Sequence, residues 1–201
     1  MTADTTNITP ASKRGVPLSI QIIIWVMLMT LLVLLGWALK RAQNPIITIG
    51  STPPDFSLTM FEGYSYLGVP EILFSDLRGK VVLINFWASW CKPCEAEAAE
   101  LEEAWRSYEE AGEAVFLGIA WTDTRENSLI FLKRFEITYP NGPDLGSRIS
   151  TIFNRNLGIP ETFIFDRDGV LRSIKIGPFV SVQEIQALID PLLAKDISKV
   201  D

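Results

Sequence analysis

The sequence predicts an α/β domain with a central mixed sheet flanked by helices, preceded by one transmembrane helix. An apolar run at Val81–Phe86, a helix-period stretch at Pro93–Ala111 and a second apolar run at Glu113–Ala120 follow one another as strand, helix and strand. Residues 162–176 contain two strand-forming runs around an Asp-Arg-Asp-Gly turn, which is typical of an antiparallel hairpin. Residues 18–39 are continuously apolar. The crossover through a helix predicts parallel strands and the hairpin antiparallel ones, so the sheet is mixed.

The apolar segment near the N-terminus is long enough to cross a bilayer. Leu18–Leu39 has 22 residues and no charge, and a helix rises about 1.5 Å per residue. A cleaved signal peptide is the alternative, but its apolar core usually has about 7–15 residues before a small-x-small cleavage site. Trp37–Arg41 offers no such site. We expect four regions: a cytoplasmic tail at 1–17, which is polar and disordered over Met1–Arg14, an uncleaved anchor at 18–39, a tether at 40–52 and the folded domain at 53–196.

Two short strands open the predicted domain. Phe56, Leu58 and Met60 alternate with polar residues, which indicates a half-buried strand. A loop rich in glycine and tyrosine separates this strand from a second one at Glu71–Phe74. Ser75–Gly79 then predicts a helical turn that ends at glycine.

The second half of the domain adds further helices. The strand at Glu113–Ala120 is almost entirely apolar, so we expect it to be central and parallel. Thr124–Glu136 predicts a helix with one apolar side, Tyr139–Gly146 a loop, and Ser147–Asn156 a second short helix.

A final helix follows the hairpin. Ser181 is a suitable N-cap because Glu184 stands three residues later, as in a capping box. Pro191 is expected to kink this helix or to end it before Leu192, since proline lacks the N–H that a helix interior needs.

The only two cysteines, Cys91 and Cys94, lie where the core strand passes into the first long helix. The first turn of a helix has unpaired N–H groups and the positive end of the helix dipole, which stabilise a thiolate. We expect Cys91 to be exposed at this end and Cys94 to lie one turn deeper on the same side. A thiolate at Cys91 can attack a substrate disulfide, and Cys94 can then resolve the mixed disulfide.

Two other interpretations of Cys-x-x-Cys are weaker. Zinc takes about four ligands, and this chain has no histidine and no third cysteine. A static disulfide across so short a loop constrains little of the unfolded chain. The pattern therefore favours a redox-active pair. Such a pair needs no further cofactor, because the electrons reside in the two sulfur atoms.

The stretch Asn85–Cys94, NFWASWCKPC, resembles the active-site motif of the thioredoxin superfamily. More narrowly, it is similar to the membrane-anchored thiol-disulfide oxidoreductases of the TlpA, ResA and CcmG (DsbE) type. The resemblance runs from Pro53 to Leu193. It implies a thioredoxin fold with an N-terminal strand extension and an insert between its two halves.

A second motif, Gly158–Phe165 (GIPETFIF), extends the resemblance. In the superfamily this loop holds a cis proline against the dithiol, which implies a cis Ile159–Pro160 bond here. The alternative is an ordinary trans proline at the start of a strand. A cis bond would direct the backbone of Ile159 outward, where a substrate peptide could pair with it as an added strand.

Two carboxylates are candidates for tuning the dithiol. Glu97 lies one helical turn past Cys94, and Glu161 directly follows Pro160. A nearby carboxylate raises a thiol pKa and so favours electron donation, whereas Lys92 and the helix dipole favour the thiolate. The sequence leaves this balance open. The alternative for Glu97 is a solvent-facing position in an acidic stretch, but the resemblance implies a site residue for Glu97 and for Glu161.

The site departs from thioredoxin at one position. Thioredoxins carry a buried aspartate six residues before the first cysteine, and here that residue is Asn85, which cannot titrate. Proton transfer then falls to Glu97 or to water. Trp90 is expected to be a partly exposed platform for a substrate chain, while Phe86 and Trp87 are expected in the core.

Charge excludes some partners and does not orient the anchor. Residues 46–201 carry 14 basic and 23 acidic side chains, a net charge of −9, which argues against nucleic acid and against close adhesion to anionic lipid.

Two basic residues flank the anchor on each side, so the positive-inside rule gives no preference for its orientation. A reversible dithiol fits a compartment where disulfides persist. The resemblance likewise implies a domain on the outer side of the bacterial cytoplasmic membrane.

We therefore expect a membrane-tethered reductase of disulfides. The resemblance implies a membrane thiol reductase as its electron donor and apocytochrome c as a leading substrate. The alternatives are a general oxidoreductase for other substrates and a non-catalytic docking module. Two other families are less similar to this chain. Peroxiredoxin-type peroxidases carry Thr or Ser three residues before the reactive cysteine, where this chain has Ala88. Sco-type copper carriers have Cys-x-x-x-Cys and a histidine, and this chain has neither.

Overall fold

The computed structural model of the chain describes residues 17–42, 47–153 and 158–194. The chain divides into two units between Gln43 and Asn44. The first contains helix α1, Leu18–Ala42, and within the described residues this is the one helix long and apolar enough to cross a membrane. Its stretch Leu18–Trp37 has a mean hydropathy of 2.6 and exposed side chains. Most of the tail predicted at 1–17 lies outside the described residues.

The second unit is built on a five-stranded mixed sheet with β3 at its centre. The order across the sheet is β5-β4-β3-β6-β7, in which β3–β4 and β4–β5 are parallel and β3–β6 and β6–β7 antiparallel. The crossover and the hairpin of the sequence prediction are both present. The strands are β3 (Val81–Trp87), β4 (Ala114–Trp121), β5 (Asn141–Asp144), β6 (Glu161–Phe165) and β7 (Leu171–Ile176).

Apolar clusters cover both faces of the sheet. All seven residues of β3 are buried, and successive side chains alternate between the faces, with Leu83 in one cluster and Ile84 in the other. One cluster includes side chains of α2, α3 and α5, and the other includes side chains of β1, β2 and α4. The helices are α2 (Lys92–Glu109), α3 (Arg125–Arg134), α4 (Arg148–Ile152) and α5 (Val182–Ala194).

The N-terminal extension is a short antiparallel pair, as predicted. Strand β1 is Ser57–Thr59 and β2 is Glu71–Leu73, followed by a 3-10 turn at Phe74–Leu77. Packing starts earlier than the predicted boundary, because Ile47 is buried. Gly50 and Ser51 also exchange 2.8 Å hydrogen bonds with the backbone of Leu171. Residues 47–52 of the predicted tether therefore pack as part of the folded unit.

The prediction of a loop at Tyr139–Gly146 is wrong, because β5 lies within it. Asn141 pairs with Gly118 of β4, and the side chain of Asn141 fills the space that Gly118 leaves open. A Cβ atom at residue 118 would lie 1.7 Å from Asn141 Oδ1. Pro143 is accommodated because β5 is an edge strand.

Two helix predictions also need correction. The helix expected at Ser147–Asn156 is shorter, since α4 covers Arg148–Ile152; residues 154–156 lie outside the described residues. The last helix, expected to kink at Pro191 or to end before Leu192, does not end there but continues through Pro191 to Ala194. Leu192 and Leu193 pack against the core, and this tertiary contact offsets the local cost of proline. At its start, Glu184 N–H donates to Ser181 Oγ at 3.4 Å, as the capping pattern predicts.

Candidate active site

The two cysteines lie at the start of α2, immediately after the turn that follows β3. Cys91 is the N-cap residue, with φ −87° and ψ 104°, and its Sγ accepts a hydrogen bond from Cys94 N–H at 3.2 Å. Pro93 occupies the first helical turn, where its missing N–H leaves no partner unsatisfied. The two sulfur atoms form a disulfide, so the structure represents the oxidised protein.

The prediction that Cys91 is exposed is wrong for this oxidised state. Cys91 is only 3% exposed and belongs to the same apolar cluster as Trp87 and Ala98. Its Sγ points toward Cys94 to form the bond and lies 3.7 Å from the carbonyl oxygen of Ile159. The sulfur is therefore covered from both sides although it stands at a helix terminus.

The second motif lies directly against the first. The Ile159–Pro160 peptide bond is cis, which confirms that prediction, and β6 begins at the next residue, Glu161. Pro160 is buried and Ile159 is half-buried. Glu161 pairs with Phe86 of β3 on one side and with Ile176 of β7 on the other, and it is 5% exposed.

Glu97 is a buried acid on α2, one helical turn past Cys94, and it is 1% exposed. Its Oε1 accepts a hydrogen bond from Asn85 Nδ2 at 2.8 Å, and its Oε2 accepts one from Phe179 N–H at 3.0 Å. Burial raises the pKa of the Glu97 carboxyl from 4.5 to about 7, against the opposing effects of these two bonds and of the Lys175 charge. The solvent-facing alternative for Glu97 is excluded. A carboxyl with this pKa exchanges protons near neutral pH, as a general acid or base must.

Asn85 links the acid to the sheet. It lies in the middle of β3, is buried, and donates from Nδ2 both to Glu97 Oε1 and, at 3.0 Å, to Thr162 Oγ1 of β6. Asn85, which stands where thioredoxins carry a titrating aspartate, thus donates a hydrogen bond to Glu97, the acid of this site.

The aromatic residues around the turn divide as predicted. Trp90 is 57% exposed, and its Nε1–H donates to the carbonyl of Thr122 at 3.3 Å. Phe86 and Trp87 are buried, and Trp87 Nε1–H donates to Asn141 Oδ1 at 2.8 Å. Of these three aromatic residues around the turn, Trp90 is therefore the one that a partner can reach.

Lys92 is exposed and turned toward a carboxylate. Its ammonium lies 3.0 Å from both carboxylate oxygens of Glu95. The positive charge that the sequence places beside the dithiol is thus compensated on the same helical turn, which weakens its pull toward the thiolate.

Comparison with known proteins shows the family. Residues 49–174 match the AhpC/TSA family. The chain belongs to this family. It is 31% identical over 153 residues to the thiol-disulfide oxidoreductase ResA of Geobacillus kaustophilus, covering 75% of this chain and 83% of that protein. It is 32% identical over 187 residues to the thiol:disulfide interchange protein DsbE of Allochromatium vinosum, covering 90% and 94%.

A solved structure supports the fold. The thioredoxin-family thiol:disulfide interchange protein of Chlorobium tepidum superposes with a TM-score of 0.62 at 22% identity, covering 73% of this chain and 98% of that one. The AhpC/TSA member described here therefore has a thioredoxin-like fold, and it is a thiol-disulfide oxidoreductase of the ResA and DsbE type. This confirms the family that the two sequence motifs predict.

Several contacts of this oxidoreductase site have no local signal in the sequence. The Phe179 N–H that binds Glu97 is 82 residues away along the chain. Thr162 follows the predicted Pro-Glu pair and is the polar residue of the run Thr162–Phe165, which is the one hint that it has a buried partner. Asp123, whose Oδ2 accepts the Ser89 N–H of the pre-cysteine turn at 2.7 Å, lies between the strand predicted at Glu113–Ala120 and the helix predicted at Thr124–Glu136, where the sequence predicts no element.

Proposed function

We propose that this chain is a membrane-tethered reductase that gives the electrons of Cys91 and Cys94 to a disulfide of a protein substrate outside the cytoplasm. The observation that carries the proposal is the buried Glu97 carboxyl, one turn from Cys94, with a pKa of about 7. An acid at this position can accept the proton that a thiol must lose before it attacks a disulfide.

The exchange proceeds in two steps. The Cys91 thiolate attacks one substrate sulfur, a mixed disulfide forms, and the second substrate sulfur leaves as a thiolate that takes up a proton. Cys94 then loses its proton, to Glu97 or to water, and attacks Cys91 Sγ. The reduced substrate is released and the Cys91–Cys94 disulfide remains, so two electrons have passed to the substrate.

The surroundings of the disulfide suit a protein substrate. Trp90 is exposed beside Cys91, and the backbone of Ile159 lies next to the sulfur. An extended substrate segment could pack on the Trp90 ring and pair with the backbone at Ile159. Trp90, Ile159, Pro160 and Glu161 are therefore the proposed substrate-binding residues, and Cys91, Cys94 and Glu97 the proposed catalytic ones.

The proposed place of action is the outer face of the bacterial cytoplasmic membrane. The uncharged stretch Leu18–Trp37 supports a single-pass anchor, and the relatives named ResA and DsbE support a role in thiol exchange. Apocytochrome c with oxidised haem-attachment cysteines is the proposed substrate, and a membrane thiol reductase the proposed electron donor.

The equilibrium potential of the dithiol tests the direction of electron flow. We expect a value near that of thioredoxin, about −270 mV, after equilibration with dithiothreitol or glutathione buffers. A value near −120 mV, which is about that of the oxidant DsbA, would contradict the reductase function.

Location and substrate need separate tests. An alkaline phosphatase fusion after Asp201 should be active and a cytoplasmic reporter at the same point inactive; the opposite pattern would exclude the proposed topology. An oxidised Cys-x-x-Cys-His peptide should be reduced faster than oxidised insulin by the same protein. Equal rates would favour a general oxidoreductase. Retained cellular function in a Cys91→Ala/Cys94→Ala variant would favour a docking module.

A further inference from the structure

The carboxylate of Asp123, in the loop after β4, binds the turn that leads into the dithiol. Asp123 Oδ2 accepts Ser89 N–H at 2.7 Å, and Oδ1 accepts the Ser89 hydroxyl at 3.0 Å. Asp123 also accepts Thr124 N–H at 2.8 Å and the Ser128 hydroxyl at 3.1 Å. Ser89 stands two residues before Cys91, so one carboxylate connects the start of α3 to the pre-cysteine turn.

A second contact joins the same two segments. Trp90 Nε1–H donates to the carbonyl of Thr122, and Thr122 has a φ of +48°. A β-branched residue rarely adopts this left-handed conformation, which persists only where the surroundings hold it. Two adjacent residues of the turn, Ser89 and Trp90, are thus bound by two adjacent residues of the loop, Thr122 and Asp123.

We propose that Asp123 is a positioning residue for thiol-disulfide exchange, which acts through Ser89 to hold Trp90 ready for a substrate chain. Trp90 is 57% exposed, and without fixed contacts an exposed side chain loses rotamer freedom when a partner binds. If the Trp90 ring is already held in place, binding of the substrate no longer loses this side-chain entropy. A carboxylate suits this task, because its two oxygens accept the Ser89 N–H and O–H at the same time. The inference rests on the proposed role of Trp90 as the substrate platform.

A purely structural role is the competing explanation for Asp123. It immediately precedes Thr124, the N-cap of α3, whose Oγ1 accepts Asn127 N–H at 3.3 Å. A negative charge near a helix N-terminus stabilises the helix. In that case, replacing Asp123 would lower the melting temperature and leave substrate affinity unchanged.

The test is the steady-state reduction of insulin by the full-length protein in detergent, with dithiothreitol as electron source. We expect Asp123→Ala to raise KM about tenfold, as the loss of charge-assisted hydrogen bonds implies, with kcat within about twofold of wild type. Asp123→Asn and Ser89→Ala each retain one bond across this contact, so we expect KM to rise about threefold. Thr124→Ala is the matched control, because it damages the same helix start without touching Ser89; it should lower the melting temperature and leave KM unchanged.

Three results would overturn the inference. These are an unchanged KM in Asp123→Ala, an equal rise in KM in Thr124→Ala, and an unchanged KM in Trp90→Ala, which would also remove the platform role. Should Asp123→Ala fail to fold, Asp123→Asn and Ser89→Ala decide the question, and unchanged KM values in both would overturn it. An oxidising equilibrium potential would contradict the proposed reductase function alone, since dithiothreitol drives this assay in either case.

Discussion

Replacing Glu97 by glutamine should change how the folding free energy depends on pH. The pKa of this carboxyl is about 7 in the folded protein, raised by burial from the value of 4.5 that it has when exposed. Each pKa unit corresponds to about 1.4 kcal/mol. The folded protein therefore loses about 3 kcal/mol of stability when Glu97 ionises.

The sign follows from which state binds the proton more tightly. Because the pKa of Glu97 is higher in the folded state, its contribution to stability is complete below pH 4.5 and is lost as the pH rises to 7. Glutamine does not ionise, but its Nε2–H2 group cannot accept the hydrogen bond that one of the two Glu97 oxygens receives from Asn85 or from Phe179 N–H, so the substitution carries a cost that does not vary with pH. We therefore expect the stability of Glu97→Gln relative to wild type to rise by about 3 kcal/mol between pH 4 and pH 8.

Thermal melting of the oxidised full-length protein in detergent measures this difference. At about 2–4 °C per kcal/mol for a chain of this size, the melting temperature of Glu97→Gln relative to that of wild type should rise by about 6–12 °C between pH 4 and pH 8. Glu103→Gln is the matched control, because Glu103 is exposed on the same helix. If the difference in melting temperature between Glu97→Gln and wild type is the same at pH 4 and at pH 8, the pKa of Glu97 is not raised and the reasoning is refuted.

Four further results should follow from the site. Glu97→Gln should slow reduction of a mixed disulfide about 100-fold at pH 7; a rate equal to wild type across pH 5–9 would remove Glu97 from the mechanism. Asn85→Ala removes a hydrogen bond that lowers the pKa of Glu97, so the inflection of the pH–rate profile should rise by about one unit, and an unmoved inflection would exclude this coupling. Cys94→Ala should accumulate a mixed disulfide through Cys91 on non-reducing gels, and failure to trap substrate would contradict the order of attack. Hydrogen peroxide should be consumed no faster than by a Cys91→Ala variant, because Ala88 supplies no hydroxyl; turnover comparable to disulfide exchange would favour a peroxidase.

The sequence was sufficient to predict those elements whose structure follows from the periodicity of apolar residues and from the order of elements along the chain. The apolar run of β3, the stripe of α2 and the hairpin of β6 and β7 are all local patterns, and each formed as predicted. Strand β5 could not be found in this way, because Asn141, Gly142, Pro143 and Asp144 all disfavour strands. Its backbone is held by partners distant in sequence: Gly118 N–H donates to the carbonyl of Pro140, and Phe61 N–H to that of Asn141, both at 2.8 Å.

The site shows the same division. The sequence alone pointed to the two cysteines, the proline loop and Glu97, because the motifs fix their spacing. It did not indicate that Cys91 is buried, since covering the sulfur requires Ile159 from a segment 68 residues away. Nor did it show that Asn85 and Phe179 N–H bind the two oxygens of Glu97, because that geometry exists only after β3, α2 and the segment before α5 have packed together.

The fit between Gly118 and Asn141 limits which sequences this sheet tolerates. Asn141 Oδ1 sits where a methyl group at residue 118 would lie, and the same oxygen receives the indole N–H of Trp87 at the end of β3. A Cβ atom at residue 118 would displace the Asn141 side-chain amide. The buried Trp87 Nε1–H would then lose its acceptor, and the edge strand β5 would be less firmly held. Any variant that carries a side chain at position 118 must therefore also replace residue 141, so the two positions should change as a pair.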